Sequence, residues 1–276
     1  MAYTFVLCAD DYGMTPGVSR GVLEAARAGR VNAVSAMTSL PDWPRAAEEW
    51  RTAAPRAALG LHVTLTLGRP LGAMPRFAPK DFPPLDTILR AGGALPVGEI
   101  RDEITRQVEA FIHHAGRLPD HVDGHQHVHA LPGVRTILFD VLRERGCGGC
   151  RVRNSSDAPW RILVRRGGAS KALAVAAVTR GMGRDARRAG FVCNKGFAGF
   201  SPFDPAADMP RQFARFLRAP GPDHLVMCHP GHVDDALIAL DPHTDVREAE
   251  LRFLLSEKFD AVLAQAGAKL APVKRG

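Results

Sequence analysis

Apolar residues along this chain fall into short runs that end in polar clusters, with helically spaced stretches between them. Residues 3–9 form a brief β-rich apolar run, which suits a strand buried on both faces. Asp10-Asp11-Tyr12-Gly13 stops it. Thr15-Pro16 then supplies an N-cap followed by proline in a first helical turn, and Val18, Val22, Leu23 and Ala26 recur at helical spacing until Gly29. Residues 31–37 read as a second strand, 44–54 as a helix and 59–65 as a third strand. Residues 100–114 predict an amphipathic helix with Ile104, Val108, Phe111 and Ile112 inward. Residues 134–145 are helical again, 151–153 start a strand, 224–229 form another buried strand, and 247–266 read as one long terminal helix. The proline- and glycine-rich stretches 70–96 and 190–222 read as long loops on one rim.

Strands alternating with helices argue for parallel βαβ units, so the expected class is α/β. The simplest architecture is a (β/α) barrel, or a distorted version of one, in a single domain spanning 1–276. In such a fold the C-terminal ends of the parallel strands converge on one face and build the active site. The polar residues to examine are therefore Asp10 and Asp11, which end the first apolar run, His62 within the third, and the segment 123–129 and His229, which end later ones.

Composition narrows the class without changing that picture. With 276 residues, 46% hydrophobic and 24% charged, the chain resembles an ordinary folded enzyme with one large core. No stretch approaches the roughly 18 consecutive apolar residues of a membrane helix. Residues 1–9 lack a basic leader and run into Asp10-Asp11, so a cytoplasmic protein is expected. Five cysteines are scattered, which fits reduced thiols better than a disulfide framework. Cys147-Gly-Gly-Cys150 cannot complete a structural zinc site alone and reads as a turn after a helix, with a metal or redox role as the rarer alternative.

The net charge is +7. Much of the excess lies in residues 161–188, where Arg161, Arg165, Arg166, Lys171, Arg180, Arg184, Arg187 and Arg188 surround the apolar run 172–178. That pattern fits either a basic amphipathic helix on an anionic surface or, more commonly, the solvated face of a helix and its flanking loops. Membrane association is not expected. Without interleaved aromatics to stack bases, neither is nucleic acid.

Asp10 and Asp11 point to opposite sides of an extended strand, but a turn at Tyr12-Gly13 can bring both into one cavity. Two carboxylates in one buried place repel, and a divalent cation relieves that repulsion. Imidazoles from His62 and the 125–129 segment, with one Asp oxygen, would leave open positions for water and substrate, as in a catalytic hydrolytic metal site. Zinc fits imidazole better than magnesium does. Each piece has a plainer reading: a turn for Asp10-Asp11, a hydrogen-bonded core residue for His62, a surface cluster for the histidines. His125, His127 and His129 alternate, so on a strand they share one face. Taken together, with every piece at a strand end, they favour a metal. Two other functions use the same residues. One is a metal-dependent phosphoesterase, which commonly holds two ions. The other is a sugar- or lipid-surface binding protein with an inactive site.

Four segments carry a resemblance: Ala9-Asp-Asp-Tyr-Gly13, Gly60-Leu-His-Val-Thr-Leu65, His121-Val-Asp-Gly-His-Gln-His-Val-His129 and Met227-Cys-His-Pro-Gly231. They resemble the signature segments of the YdjC-like carbohydrate deacetylases, the family that includes chitooligosaccharide deacetylases, and they occur in that family's order. The resemblance implies a distorted (β/α) barrel, usually dimeric, that removes the acetyl group from an N-acetylated amino sugar with one divalent ion, zinc or magnesium. It implies Asp11, His62 and His125 as ligands, Asp10 as general base, and His229, near neutral by default, as general acid. Asp123 and His127 would line the site or orient the ligand imidazoles. Gly124 and Gln126 within the histidine run, the loop 70–96 and the basic stretch set this chain apart from the chitooligosaccharide enzymes, and leave the sugar open.

Overall fold

The computed structural model describes residues 3–271. Met1, Ala2 and 272–276 of the expected 1–276 domain lie outside the described residues. In chain order the first half contains β1 (Tyr3–Tyr12), α1 (Pro16–Arg27), β2 (Ala33–Ala36), α2 (Trp43–Ala53), β3 (Ala58–Val63), α3 (Leu85–Ala91), α4 (Val97–Ala115), β4 (His121–Gly124) and α5 (Pro132–Glu144). The second half contains β5 (Arg151–Val152), α6 (Pro159–Arg165), α7 (Ala169–Val178), α8 (Met182–Arg188), β6 (Gly196–Ala198), α9 (Met209–Phe216), β7 (His224–Cys228), α10 (Asp235–Leu240), α11 (Asp245–Leu255), α12 (Glu257–Ala266) and β8 (Ala268–Leu270).

The sheet runs β5-β4-β3-β2-β1-β7-β6, with β8 also on β1. Every pairing along it is parallel. A further parallel bridge joins Arg151 of β5 to Val192, four residues ahead of β6, and draws the two open edges toward each other. The result is a barrel-like single domain, distorted by strands as short as two residues, with helices packed around it. The strands are short apolar runs because they are covered on both faces: Leu7, Val34, Leu61, Val122 and Val226 are fully buried. Thr15 caps α1 by accepting from the Val18 amide at 3.3 Å, as the Thr-Pro start signal predicts.

Three sequence expectations change. The predicted helix 247–266 is two helices, α11 and α12, broken at Ser256, which is extended (φ −89°, ψ 159°) and whose hydroxyl bonds the Phe253 carbonyl at 2.7 Å. The stretch 190–222 is not a bare loop. It holds β6 and α9, which is capped by Asp208 on the Arg211 amide and buries Phe213 against Phe253 at 4.8 Å. Pro210 sits in the first turn of α9, where proline's missing N–H costs nothing. The stretch 70–96 likewise contains α3. Cys147 and Cys150 are buried in a turn after α5, where burial pushes their thiols up to about 11 and 12.

Candidate metal centre

β1 bends where the chemistry begins. Its register against β2 shifts between Ala9 and Tyr12, and Asp11 takes φ +69°, a left-handed conformation that Asp tolerates better than most residues. Gly13 follows at φ +84°. This bulge turns both Asp10 and Asp11 into one cavity of about 250 Å³, instead of to opposite faces of the sheet. The cavity lies at the C-terminal ends of the strands, and His62, His125, His127 and His229 line it with the two aspartates.

The histidine run departs from the alternating strand expected of it. β4 ends at Gly124, and residues 125–130 form a tight 3-10 turn in which Gln126 and His127 have positive φ. Gly124 permits that turn, because a Cβ there would meet the Val63 carbonyl at 2.8 Å. The three histidines consequently splay instead of sharing a face. His125 reaches Asp11, His127 packs edge-on to Phe197 and Phe200, and His129 donates from Nε2 to the Arg153 carbonyl at 2.9 Å.

One oxygen of Asp11, Oδ1, lies 3.3 Å from His62 Nε2 and 3.1 Å from His125 Nδ1. Ligand atoms about 2.0–2.2 Å from a shared ion stand roughly 3.0–3.5 Å apart, so the three donors fit a divalent metal. All three candidate ligand atoms lie within 4.8 Å of one another. The other Asp11 oxygen accepts from Arg247 Nη2 at 2.8 Å, which fixes the carboxylate and leaves Oδ1 facing the two histidines. Burial alone would raise the Asp11 carboxyl, but Arg247 and His125 hold it well below the usual carboxylate range. Asp123 is buried behind His62 and accepts from its Nδ1 at 2.6 Å, which directs Nε2 toward Asp11. Burial alone would lower His62, yet Asp123 and Asp10 hold it up to about 10.

Two further groups of donors are unsuited to an ion. Asp10 and Asp123 flank His62, but the Arg153 guanidinium already lies between them, at 2.6 and 2.5 Å. Cys8, His121 and Asp123 are knitted together by the Ser35 hydroxyl, and burial keeps the Cys8 thiol well above its ordinary value.

Arg153 and Arg247 are the largest omissions of the sequence reading, which assigned the neutralising charge to a metal alone. Arg153 binds both Asp10 oxygens, each at 2.6 Å, and it is buried. It follows directly on β5, so the strand-end rule that selected the other residues would have found it. Arg247 and Glu250 lie one turn apart on α11 and carried no such signal. Glu250 accepts from the His229 amide at 2.6 Å, and burial pushes its carboxyl up to about 7. The near-neutral default for His229 also changes: burial lowers it to about 4, so it is a neutral imidazole at pH 7. Phe203 closes the mouth at φ +54°, 5.2 Å from the His229 ring, stacked on His243 and under the Lys171 ammonium.

A family model described as YdjC-like protein matches residues 4–265. The chain is 31% identical over 274 residues to a chitooligosaccharide deacetylase of Yersinia pestis (strain Pestoides F), covering 98% of each chain. It is 35% identical over 164 residues to a human carbohydrate deacetylase, covering 52% of this chain and 50% of that one. A crystallised Enterococcus faecalis V583 protein, named for cellobiose-phosphate cleavage, superposes with a TM-score of 0.78 at 22% identity, covering 99% of this chain and 98% of that one. At that identity the likeness is one of fold. The family match over nearly all the described residues, with a full-length relative at 31% identity, leads to one conclusion: the chain belongs to the YdjC-like protein family.

Proposed function

We propose that this protein is a metal-dependent N-deacetylase of N-acetylated amino sugars, acting as one catalytic domain over 1–276. The observation that carries the reading is the meeting of Asp11, His62 and His125 with Asp10 and His229 on a single cavity. The names of the Yersinia and human relatives, which specify chitooligosaccharide and carbohydrate deacetylation, supply the substrate class.

Asp11, His62 and His125 would hold a divalent ion, which when bound would supply the Lewis acidity that makes water a nucleophile near neutral pH and polarises a carbonyl. The chain's own residues do the rest. Asp10 takes a proton from the attacking water, while Arg153 grips both of its oxygens and fixes its direction. His229 protonates the departing amine. Because burial leaves it neutral, it gives a proton only after taking one up in the cavity, and the proton Asp10 removes from water is that proton. Glu250 holds the backbone of His229 in place. Products are acetate and a free amino sugar.

If His229 is the acid, His229→Ala will slow amide cleavage about 10²-fold or more, and will slow cleavage of an activated acetyl ester much less, since a good leaving group needs no proton. Steady-state rates on the two substrates measure the difference, and equal losses would remove the acid role. Metal binding also carries a pH signature. His62, held up to about 10, must shed a proton to become a ligand, so zinc affinity rises by up to about tenfold per pH unit below that value. Calorimetry in buffers of different ionisation enthalpy will show net proton release and one ion per chain; a second tight ion would favour the phosphoesterase reading. Arg153, which ties up Asp10 and Asp123, the neighbouring carboxylates a second ion would need, favours the single site.

A further inference from the structure

Helix α7 packs Ala172, Leu173, Val175 and Ala176 against a small core with Ile162, Phe197 and Phe200, and leaves Ala174, Ala177 and Val178 exposed. A helix of that composition is normally sunk in a core. Next to it, α6 presents two faces. Ile162 and Arg165 are buried inward, while Trp160, Leu163 and Val164, at i, i+3 and i+4, form an outward stripe that is 58, 58 and 47% exposed. The exposed Val178 ends α7, and the two helices pack together. Single exposed apolar side chains need no explanation, but several on adjoining short helices mark an interaction surface.

The exposed charges of the stretch that carries these helices are mostly positive. Arg166, Arg180, Arg184, Arg187 and Arg188 are exposed. The two acids within 157–188 are both engaged: Asp157 with Arg161 and Arg165, Asp185 with Arg135 and Arg184. The Arg161 guanidinium lies 5.1 Å over the Trp160 ring. Lys171 and Val175 of α7 also line the catalytic cavity, so the surface borders its mouth.

We propose that α6 and α7 form a docking surface for an anionic lipid bilayer. Trp160, Leu163 and Val164 enter the headgroup boundary, exposed arginines of the same stretch meet lipid phosphates, and the cavity mouth is set beside the membrane. A second copy of the chain fits this face poorly, because a two-fold contact would set the exposed arginines of this stretch against one another. Among the described residues no helix is long and apolar enough to cross a membrane, and peripheral docking needs none. The inference departs from the sequence expectation of no membrane association, and it does not depend on the catalytic reading.

The chain has three tryptophans, and Trp43 and Trp50 are buried, so a change of environment at Trp160 dominates any fluorescence shift. Full-length protein mixed at low salt with vesicles of phosphatidylglycerol and phosphatidylcholine will sediment with them and show a blue-shifted emission. Both responses will weaken on pure phosphatidylcholine and at about 0.5 M salt. The double variant Trp160→Ala/Leu163→Ser will lower sedimentation about tenfold or more, with far-UV circular dichroism and thermal midpoint unchanged. Absence of sedimentation and of a blue shift with the anionic vesicles overturns the proposal. So does a blue shift that follows protein concentration without lipid, which identifies a second copy as the occupant.

Discussion

Asp11→Ala will lose the metal and turnover together, whereas Asp10→Asn will keep the metal and lose turnover by about 10²–10⁴-fold. The two carboxylates are adjacent in sequence, and their surroundings separate their tasks. Asp11 presents Oδ1 to His62 and His125 and gives its other oxygen to Arg247, so removing it takes one of the three proposed ion ligands and leaves the buried guanidinium with Asp241 as its remaining carboxylate partner among the described residues. Asp10 makes no contact with His125 or Arg247 among the hydrogen bonds and ion pairs of the site; its bonds go to Arg153. Asparagine there keeps the shape and one acceptor but cannot take a proton from water. Metal content by mass spectrometry under native conditions, read beside initial rates, separates the variants. Full activity in Asp10→Asn would remove the assigned base, and retained metal with full activity in Asp11→Ala would remove the assigned centre.

Arg153→Met will cost about 3–5 kcal/mol of stability, the usual result of deleting one partner of a buried ion pair while leaving the other charged. Arg153 lies between Asp10 and Asp123, and all three are buried, so the change strands two carboxylates in low dielectric. Against a typical total of about 5–15 kcal/mol, that is a large fraction. Urea unfolding will show a lower midpoint at unchanged slope. The pH dependence has a definite sign. Arg153 and His62 hold the Asp123 carboxyl well below its usual range, so the stability this network adds is present above the unfolded value near 4 and is lost as pH falls through the folded one. Arg153→Met will flatten that acid limb. A loss under about 1 kcal/mol would mean the guanidinium is not what holds these carboxylates.

Much of the site was legible because of how parallel strands are built. A strand covered on both faces must be an apolar run, so the polar residue that ends it stands out, as Asp10, Asp11, Asp123 and His229 do, while His62 stands out as a polar residue within one. The His125–His129 run was harder, since alternation on paper looks the same in a strand and in a 3-10 turn. Gly124, which gives the turn its room, was noticed only as an oddity. The guanidinium partners were hidden for a different reason: Arg153 meets Asp10 from 143 residues away and Arg247 meets Asp11 from 236, and long-range pairing leaves no local pattern. Short helices such as α9 and α3 were read as loops because their prolines and glycines count equally as turn signals and as helix ends.

The reading rests most directly on a hydrolysis assay. Purified protein is stripped with a chelator, offered N,N′-diacetylchitobiose, and assayed for acetate before and after zinc or magnesium is restored. Acetate that appears only with the ion restored, and in proportion to one ion bound per chain, is the predicted result. Acetate release that continues at full rate after the metal has been removed would contradict it, as would a metal-loaded protein that deacetylates no N-acetylated amino sugar in a panel.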